Sequence, residues 1–172
     1  MDMKNTFFRG LIIAGLLQFS FSAVAATQVG EVKFARGVLT GQVGNEAPRI
    51  LGKGLPLHNG ETLNTGSSGF AVINLEDGTR MTLRPNSSFK IVNVDARKGK
   101  ENAFMRLFKG GFRAITGFIS KRNPNAFRVG TSVATIGIRG TDFDARLCEG
   151  TECDDENKST GEKAQKESRV IG

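Results

Sequence analysis

The chain has 172 residues, with 24 Lys plus Arg against 17 Asp plus Glu, for a formal net charge of +7. Apolar residues at 38% and charged residues at 24% suffice for a folded core and exclude collagen-like or wholly disordered chains. One His, two Cys and no Trp or Tyr leave a single imidazole for acid–base work and exclude most His-based metal sites, so an ordinary enzyme is not expected.

The N-terminus reads as an address. Lys4 and Arg9 precede an apolar stretch from Leu11 to Val24, and Ala23-Val24-Ala25 supplies small residues for cleavage after Ala25 or Ala26. The stretch covers 14 positions, short of the roughly 20 that a spanning helix needs. A cleaved leader over 1–26 and a periplasmic or secreted mature chain are expected, with no membrane span after cleavage.

The remainder divides by charge. Residues 27–148 hold 18 basic and 9 acidic residues, a net +9, whereas 149–172 hold 4 and 7, a net −3. Between Glu149 and Arg169 there is no Val, Ile, Leu, Met or Phe, so this segment lacks the apolar surface to offset its ordering entropy and reads as a polar flexible tail. The expected folded unit is one β domain over 27–148.

Within it, period-two alternation recurs and helical period does not. The 22 glycines are nearly twice the usual share of about 7% and point to many tight turns between short strands. Glu31 to Arg36 alternates polar and apolar. Gly69 to Leu75 is nearly continuously apolar, as a strand buried on both faces would be. Asp77-Gly78 is a strong hairpin signal before the alternating Thr79 to Leu83. Pro85-Asn86-Ser87 turns the chain into Phe89 to Val94, and Arg97 to Lys100 makes a basic turn. Lys109-Gly110-Gly111 reads as a second hairpin between Phe104–Phe108 and Phe112–Ile119. Asn123-Pro124-Asn125 precedes Phe127–Thr131, Ala134–Ile138 and Phe143–Leu147. About ten strands at 8–12-residue spacing suggest an all-β fold, a sandwich, jelly roll or small barrel, with β-helical winding also open.

The search for chemistry is mostly negative. Gly66-Ser67-Ser68-Gly69 lacks the final glycine of a nucleophile elbow, since Phe70 stands there. No phosphate-binding loop or dinucleotide fingerprint occurs. His58 reads as a surface loop residue. Asp154, Asp155 and Asn157 miss the Gly and Glu of a calcium loop at Thr160 and Lys166. Asp142 and Asp144 share a strand face and could serve glycoside hydrolysis, but Arg139 and Arg146 beside them favour an ion-pair network. No catalytic residue, metal or cofactor is expected. Cys148 and Cys153 lack redox or zinc spacing, and in an oxidising compartment they are expected to pair. Lys98, Lys100, Lys109, Arg113, Lys121, Arg122 and Arg128 lie in or near consecutive turns. They form either a solvated basic surface or a contact for an anionic envelope glycan. Nucleic acid is not expected, because the Phe residues fall on apolar faces and offer no stacking platform.

One segment is specific. Ala134-Thr135-Ile136-Gly137-Ile138-Arg139-Gly140-Thr141-Asp142-Phe143, preceded by Phe127 to Val133, resembles the signature of FecR-type domains, bacterial envelope modules named for a regulator of ferric citrate uptake. Gly60-Glu61-Thr62-Leu63-Asn64-Thr65-Gly66, Leu75-Glu76-Asp77-Gly78-Thr79, Leu83-Arg84-Pro85-Asn86-Ser87 and Lys109-Gly110-Gly111-Phe112-Arg113 agree with the same pattern, strongest over 60–146. The resemblance implies an all-β periplasmic domain without catalytic residues. The named regulator has a cytoplasmic anti-sigma segment and a membrane helix, where this chain shows a leader, so sigma-factor binding is not expected. In the signature itself, Ala134, Ile136 and Ile138 are expected on one strand face, Gly137 at a close backbone approach, Gly140 at a turn and Arg139 in an ion pair. The expected function is a protein-interaction, regulatory or scaffolding module in the envelope. The alternative is a glycan-binding module using the basic turns.

Overall fold

The computed structural model describes residues 27–138 and 142–147. It contains thirteen strands: β1 Gln28–Arg36, β2 Leu39–Val43, β3 Arg49–Ile50, β4 Pro56–His58, β5 Glu61–Thr65, β6 Phe70–Leu75, β7 Arg80–Leu83, β8 Ser88–Asp95, β9 Asn102–Lys109, β10 Gly111–Ile115, β11 Phe127–Gly130, β12 Thr135–Gly137 and β13 Asp142–Arg146. They form a six-stranded sheet, in the order β13-β10-β7-β6-β1-β4, and a seven-stranded sheet, β12-β11-β9-β8-β5-β2-β3. Both sheets contribute to one apolar core. The fold is therefore an all-β sandwich. The leader over 1–26, the 149–172 tail, Arg139, Gly140, Thr141 and the Cys148–Cys153 pairing lie outside the described residues.

The chain changes sheet after β1, β3, β4, β5, β7, β9, β10 and β12, so it passes repeatedly between the two layers of a sandwich rather than winding as a β-helix. One expected hairpin, at Lys109-Gly110-Gly111, is a corner instead. β1 and β2 lie in different sheets, as do β9 and β10. Gly37, at φ +67°, and Gly110, at φ +73°, turn the chain between layers. Gly110 is also held close, since a Cβ there would lie 2.7 Å from the Asn86 carbonyl oxygen. The turn residues that suggest a hairpin serve equally to move the chain from one inner face to the opposing one. By contrast, Asp77-Gly78 does join an antiparallel pair, with Ile73 opposite Met81.

Burial follows the alternation with two corrections. β6 is buried on one face only, through Ala71, Ile73 and Leu75, because a two-layer sandwich covers one side of each sheet. In β1, the register shifts between Val32 and Phe34. That bulge turns Phe34 outward to 48% exposure, against Phe70 with ring centroids 6.2 Å apart. The core centre is a ladder of rings from both sheets. Phe89 meets Phe112 at 5.1 Å, Phe112 meets Phe143 at 5.6 Å and Phe143 meets Phe127 at 6.2 Å, all edge-to-face.

Three strands carry no alternating apolar signal: β3, β4 and β5. β5 buries Glu61 and Thr65 beside Leu63, so its inner face is two-thirds polar. The expected strand Phe112–Ile119 ends at Ile115, and a short helix, α1 Phe118–Arg122, follows. The break comes at Gly117, where a Cβ would lie 1.9 Å from the Asp77 carbonyl oxygen. That oxygen accepts from the Phe118 N–H at 2.9 Å. No helix among the described residues is long and apolar enough to cross a membrane.

Candidate interaction surfaces

The motif segments upstream of residue 127 act as fasteners of the sandwich. The Asp77 carboxylate accepts from the Thr79 N–H at 2.9 Å and from the Thr79 hydroxyl at 2.7 Å. Thr79 Oγ1 in turn accepts from the Gly117 N–H at 2.9 Å. Ser87 Oγ donates to the Gly111 carbonyl at 2.9 Å and accepts from its N–H at 3.0 Å. The Thr65 hydroxyl donates to the Arg84 carbonyl at 2.7 Å and accepts from the Ser87 N–H at 2.9 Å. Glu61, wholly buried, receives the Arg49 guanidinium at 2.8 Å. These side chains satisfy backbone groups in the β6–β7 hairpin and where the chain leaves one sheet for the other, and so stabilise the turns and corners.

The signature strand is different. β12 is the outermost described strand of the seven-stranded sheet and pairs with β11, Val129 opposite Ile136. The expected shared apolar face does not form. Ala134 is exposed, Ile136 is 50% exposed and Val133 87%, and only Ile138 enters the core. The strand overhangs the sandwich, so its inward side runs out of core to cover it. The expected close approach at Gly137 is absent too, since nothing lies within 4 Å of a Cβ built there. The Thr131 N–H donates to the Ala134 carbonyl at 2.7 Å, and the Ile138 N–H to the Phe127 carbonyl at 3.0 Å. By antiparallel alternation Ile136 shares this hydrogen-bonded phase, so the backbone groups of Thr135 and Gly137 point away from β11. The edge thus offers N–H and C=O groups beside exposed apolar side chains.

The carboxylates Asp142 and Asp144 stand on the outer face of β13. Asp142 pairs with Arg113 and Asp144 with Arg84 at 2.5 Å. The expected ion-pair network exists, but these partners come from neighbouring strands and turns. The hydrogen bond from Arg113 holds the Asp142 carboxyl below its ordinary range. Asp95 is lowered to about 2, chiefly by its hydrogen bonds from Arg97. Neither Asp142 nor Asp144 lines either of two clefts at the ends of the sandwich. One, about 420 Å³, is lined by Arg84, Lys109, Gly110 and Arg146 among others. The second, about 660 Å³ at the other end, is lined by Asn59, Asp95, Arg97 and Phe118 among others. His58 is not a loop residue but lies in β4, its Nδ1 3.4 Å from Glu61 Oε2. Among the described residues no cluster of His, Cys, Asp or Glu could hold a metal ion.

The seven basic residues singled out from sequence do not make one surface. Lys98 and Lys100 lie in the β8–β9 turn, and Lys121 and Arg122 in α1. Lys109 ends β9 at the opposite end of the sandwich, and Arg113 faces out from the six-stranded sheet, bound to Asp142. Arg122 pairs with Glu101 at 3.5 Å. Arg128 faces out from β11, its guanidinium carbon 5.5 Å from the Phe104 ring centroid. Phe104 therefore does not sit on an apolar inner face, nor does Phe108, which is 47% exposed. Both share the outward side of β9 with Arg106, while Met105 and Leu107 take the core. The spacing Phe-x-Arg-x-Phe carries that signal, because positions two apart share a strand face.

Among the described residues of this all-β sandwich, the upstream motif residues fasten turns and corners, and the signature strand lies at a sheet edge. The family model described as FecR protein matches residues 61–159, more than half of the chain, and the chain belongs to the FecR family, a regulatory family associated with the cell envelope. A solved structure described as a cell surface anchoring domain is 34% identical over 36% of this chain and 82% of that one, with a TM-score of 0.35. No curated protein matches.

Proposed function

We propose that this chain is an exported, non-enzymatic FecR-type module that works through protein–protein contact in the envelope, taking its partner as an added strand at β12. The observation that carries this reading is the open edge: backbone groups at Thr135 and Gly137 directed away from β11, flanked by Val133 and Ile136. A partner strand there gains backbone hydrogen bonds, each worth about 0.5–1.5 kcal/mol net, and covers apolar surface now in water. The leader pattern supports export, and the ion-paired state of Asp142 and Asp144 speaks against hydrolysis.

The test is in-cell crosslinking of the tagged full-length protein, followed by mass spectrometry of its companions. Gly137→Pro removes one outward N–H while leaving the β11 pairing in place, and there is open space for the ring. Gly137→Ala keeps that donor. The expected result is one dominant envelope protein captured by wild type and Gly137→Ala, and lost with Gly137→Pro. Equal capture by all three, or no protein companion, overturns strand addition at β12.

A further inference from the structure

The two outer faces of the sandwich differ in charge. On the six-stranded sheet, cations meet carboxylates: Lys33 with Glu31, Arg84 with Asp144, Arg113 with Asp142. On the seven-stranded sheet, the strands contain only two acids. Glu61 is buried on the inner side, and Asp95 is bound to Arg97 at the end of β8. Asp95, next to buried Val94, is the one outward carboxylate of these strands, and it lies five residues along β8 from Lys90. On this face Lys90 stands directly opposite Arg106 in register, and among the described residues neither has an ion-pair partner. Arg128 is one register step away, opposite Phe104.

Like charges directly opposite on a sheet are destabilising, so this pair is a local cost to the fold that no internal contact relieves. The surrounding geometry is ordered. Phe104 and the Arg106 stem pack over Gly130, where a Cβ would lie 3.4 Å from both, and the Arg128 guanidinium rests over the Phe104 ring. Along β9 the outward row runs Phe104, Arg106, Phe108. At about 3.4 Å per residue, the Cα atoms of Phe104 and Phe108 lie about 14 Å apart along β9, with Arg106 between them.

We propose that this face binds a linear anionic polysaccharide, its carboxylate or sulfate groups held by Lys90, Arg106 and Arg128 and its sugar rings laid against Phe104 and Phe108. Charge complementarity selects an anion, since Lys90, Arg106 and Arg128 have no ion-pair partner among the described residues and the one outward acid, Asp95, is bound to Arg97. The extended row of rings selects a chain rather than a single small ion. The leader pattern favours a glycan over nucleic acid, because it directs the chain to a compartment where anionic polysaccharide is the common extended polyanion. The site uses one residue, Arg128, of the seven expected from the basic turns. It is separate from the β12 edge, so either proposal can fail alone.

The test is binding of the full chain to polygalacturonate and to dextran sulfate at low salt, with neutral dextran, oligothymidine and phosphatidylglycerol vesicles as competitors. The expected result is binding to one or both anionic polysaccharides and none to neutral dextran. Lys90→Gln with Arg106→Gln weakens it at least about tenfold, and Phe108→Ala weakens it further. Arg113→Gln, on the other sheet, leaves it unchanged. The double variant should also unfold at the same or a higher denaturant concentration than wild type, since it removes a like-charged pair. Binding only to oligothymidine or only to vesicles overturns the proposal, as does absence of binding or equal binding by the double variant. Loss of affinity with Arg113→Gln equal to that of the double variant reduces the effect to net charge and overturns the site.

Discussion

Replacing Arg49 by Met should destabilise the domain more than replacing Glu61 by Gln, although both changes break the same ion pair. Glu61 is wholly buried, whereas the Arg49 side chain is 38% exposed. Glu61 Oε1 accepts from Arg49 at 2.8 and 3.2 Å, and Oε2 accepts from the His58 N–H at 2.9 Å. Arg49 also donates to the Pro56 carbonyl at 2.6 Å. Arg49→Met strands a buried carboxylate with one backbone donor, at the lower end of the about 3–5 kcal/mol cost of orphaning a buried charge. Glu61→Gln keeps the shape and the His58 contact, and the guanidinium is free to reach water. Its cost is about 1–3 kcal/mol, that of one mismatched hydrogen bond. In urea, with a slope of about 1–3 kcal/mol per molar, the midpoint should fall by roughly 1–3 M for Arg49→Met and about half that for Glu61→Gln. The double variant Arg49→Met, Glu61→Leu should recover part of the loss, because an apolar pair has no charge to desolvate. A Glu61→Gln cost equal to or above that of Arg49→Met would refute the reasoning and mean that the arginine, not the carboxylate, is the member that needs its partner.

Two further outcomes follow from single contacts. Gly117→Ala places a Cβ 1.9 Å from the Asp77 carbonyl oxygen, which must shift together with the Asp77–Thr79 fastening. The expected loss is at least the about 1–3 kcal/mol of an overpacked site, read as a lower melting temperature. Asp142, lowered by Arg113, contributes stability that is present above the ordinary carboxylate pKa and lost as pH falls through its own lower value. Asp142→Asn should therefore flatten the acid limb of a melting-temperature profile below about pH 4, and 1 M salt should shrink the difference, since the pair is exposed.

Much of the fold was readable because alternation reports one-sided burial directly. Met105 and Leu107 point inward and Arg106 outward, as period two requires. The choice between hairpin and corner was not readable, because Gly110 at positive φ suits either and only the layer taken by Phe112 decides. β5 was hidden for a different reason. Its inner side carries Glu61 and Thr65, whose polarity reads as surface until Arg49, twelve residues back, and Ser87, twenty-two residues on, are seen to satisfy them. The Lys90–Arg106 juxtaposition was not readable, because it depends on strand register rather than on turns. Lys90 and Arg106 are sixteen positions apart in sequence and directly opposite in space.

The family pattern itself divides by what physics accounts for. Asp77, Thr79, Ser87, Thr65 and Glu61 are buried polar groups with hydrogen bonds that hold turns and corners, and their residue types follow from the backbone atoms they must satisfy. Thr135, Ile136 and Gly137 satisfy no corner and line no core; they are exposed residues of a three-residue edge strand. An edge with no partner strand on its outer side among the described residues, and with exposed Ile, is a liability for aggregation that a fold normally blunts with charge, proline or cover. Among the described residues of β12 there is neither charge nor proline. An edge left in this state costs solubility and adds nothing to the described core, which is the physical reason to test it as a contact for another chain.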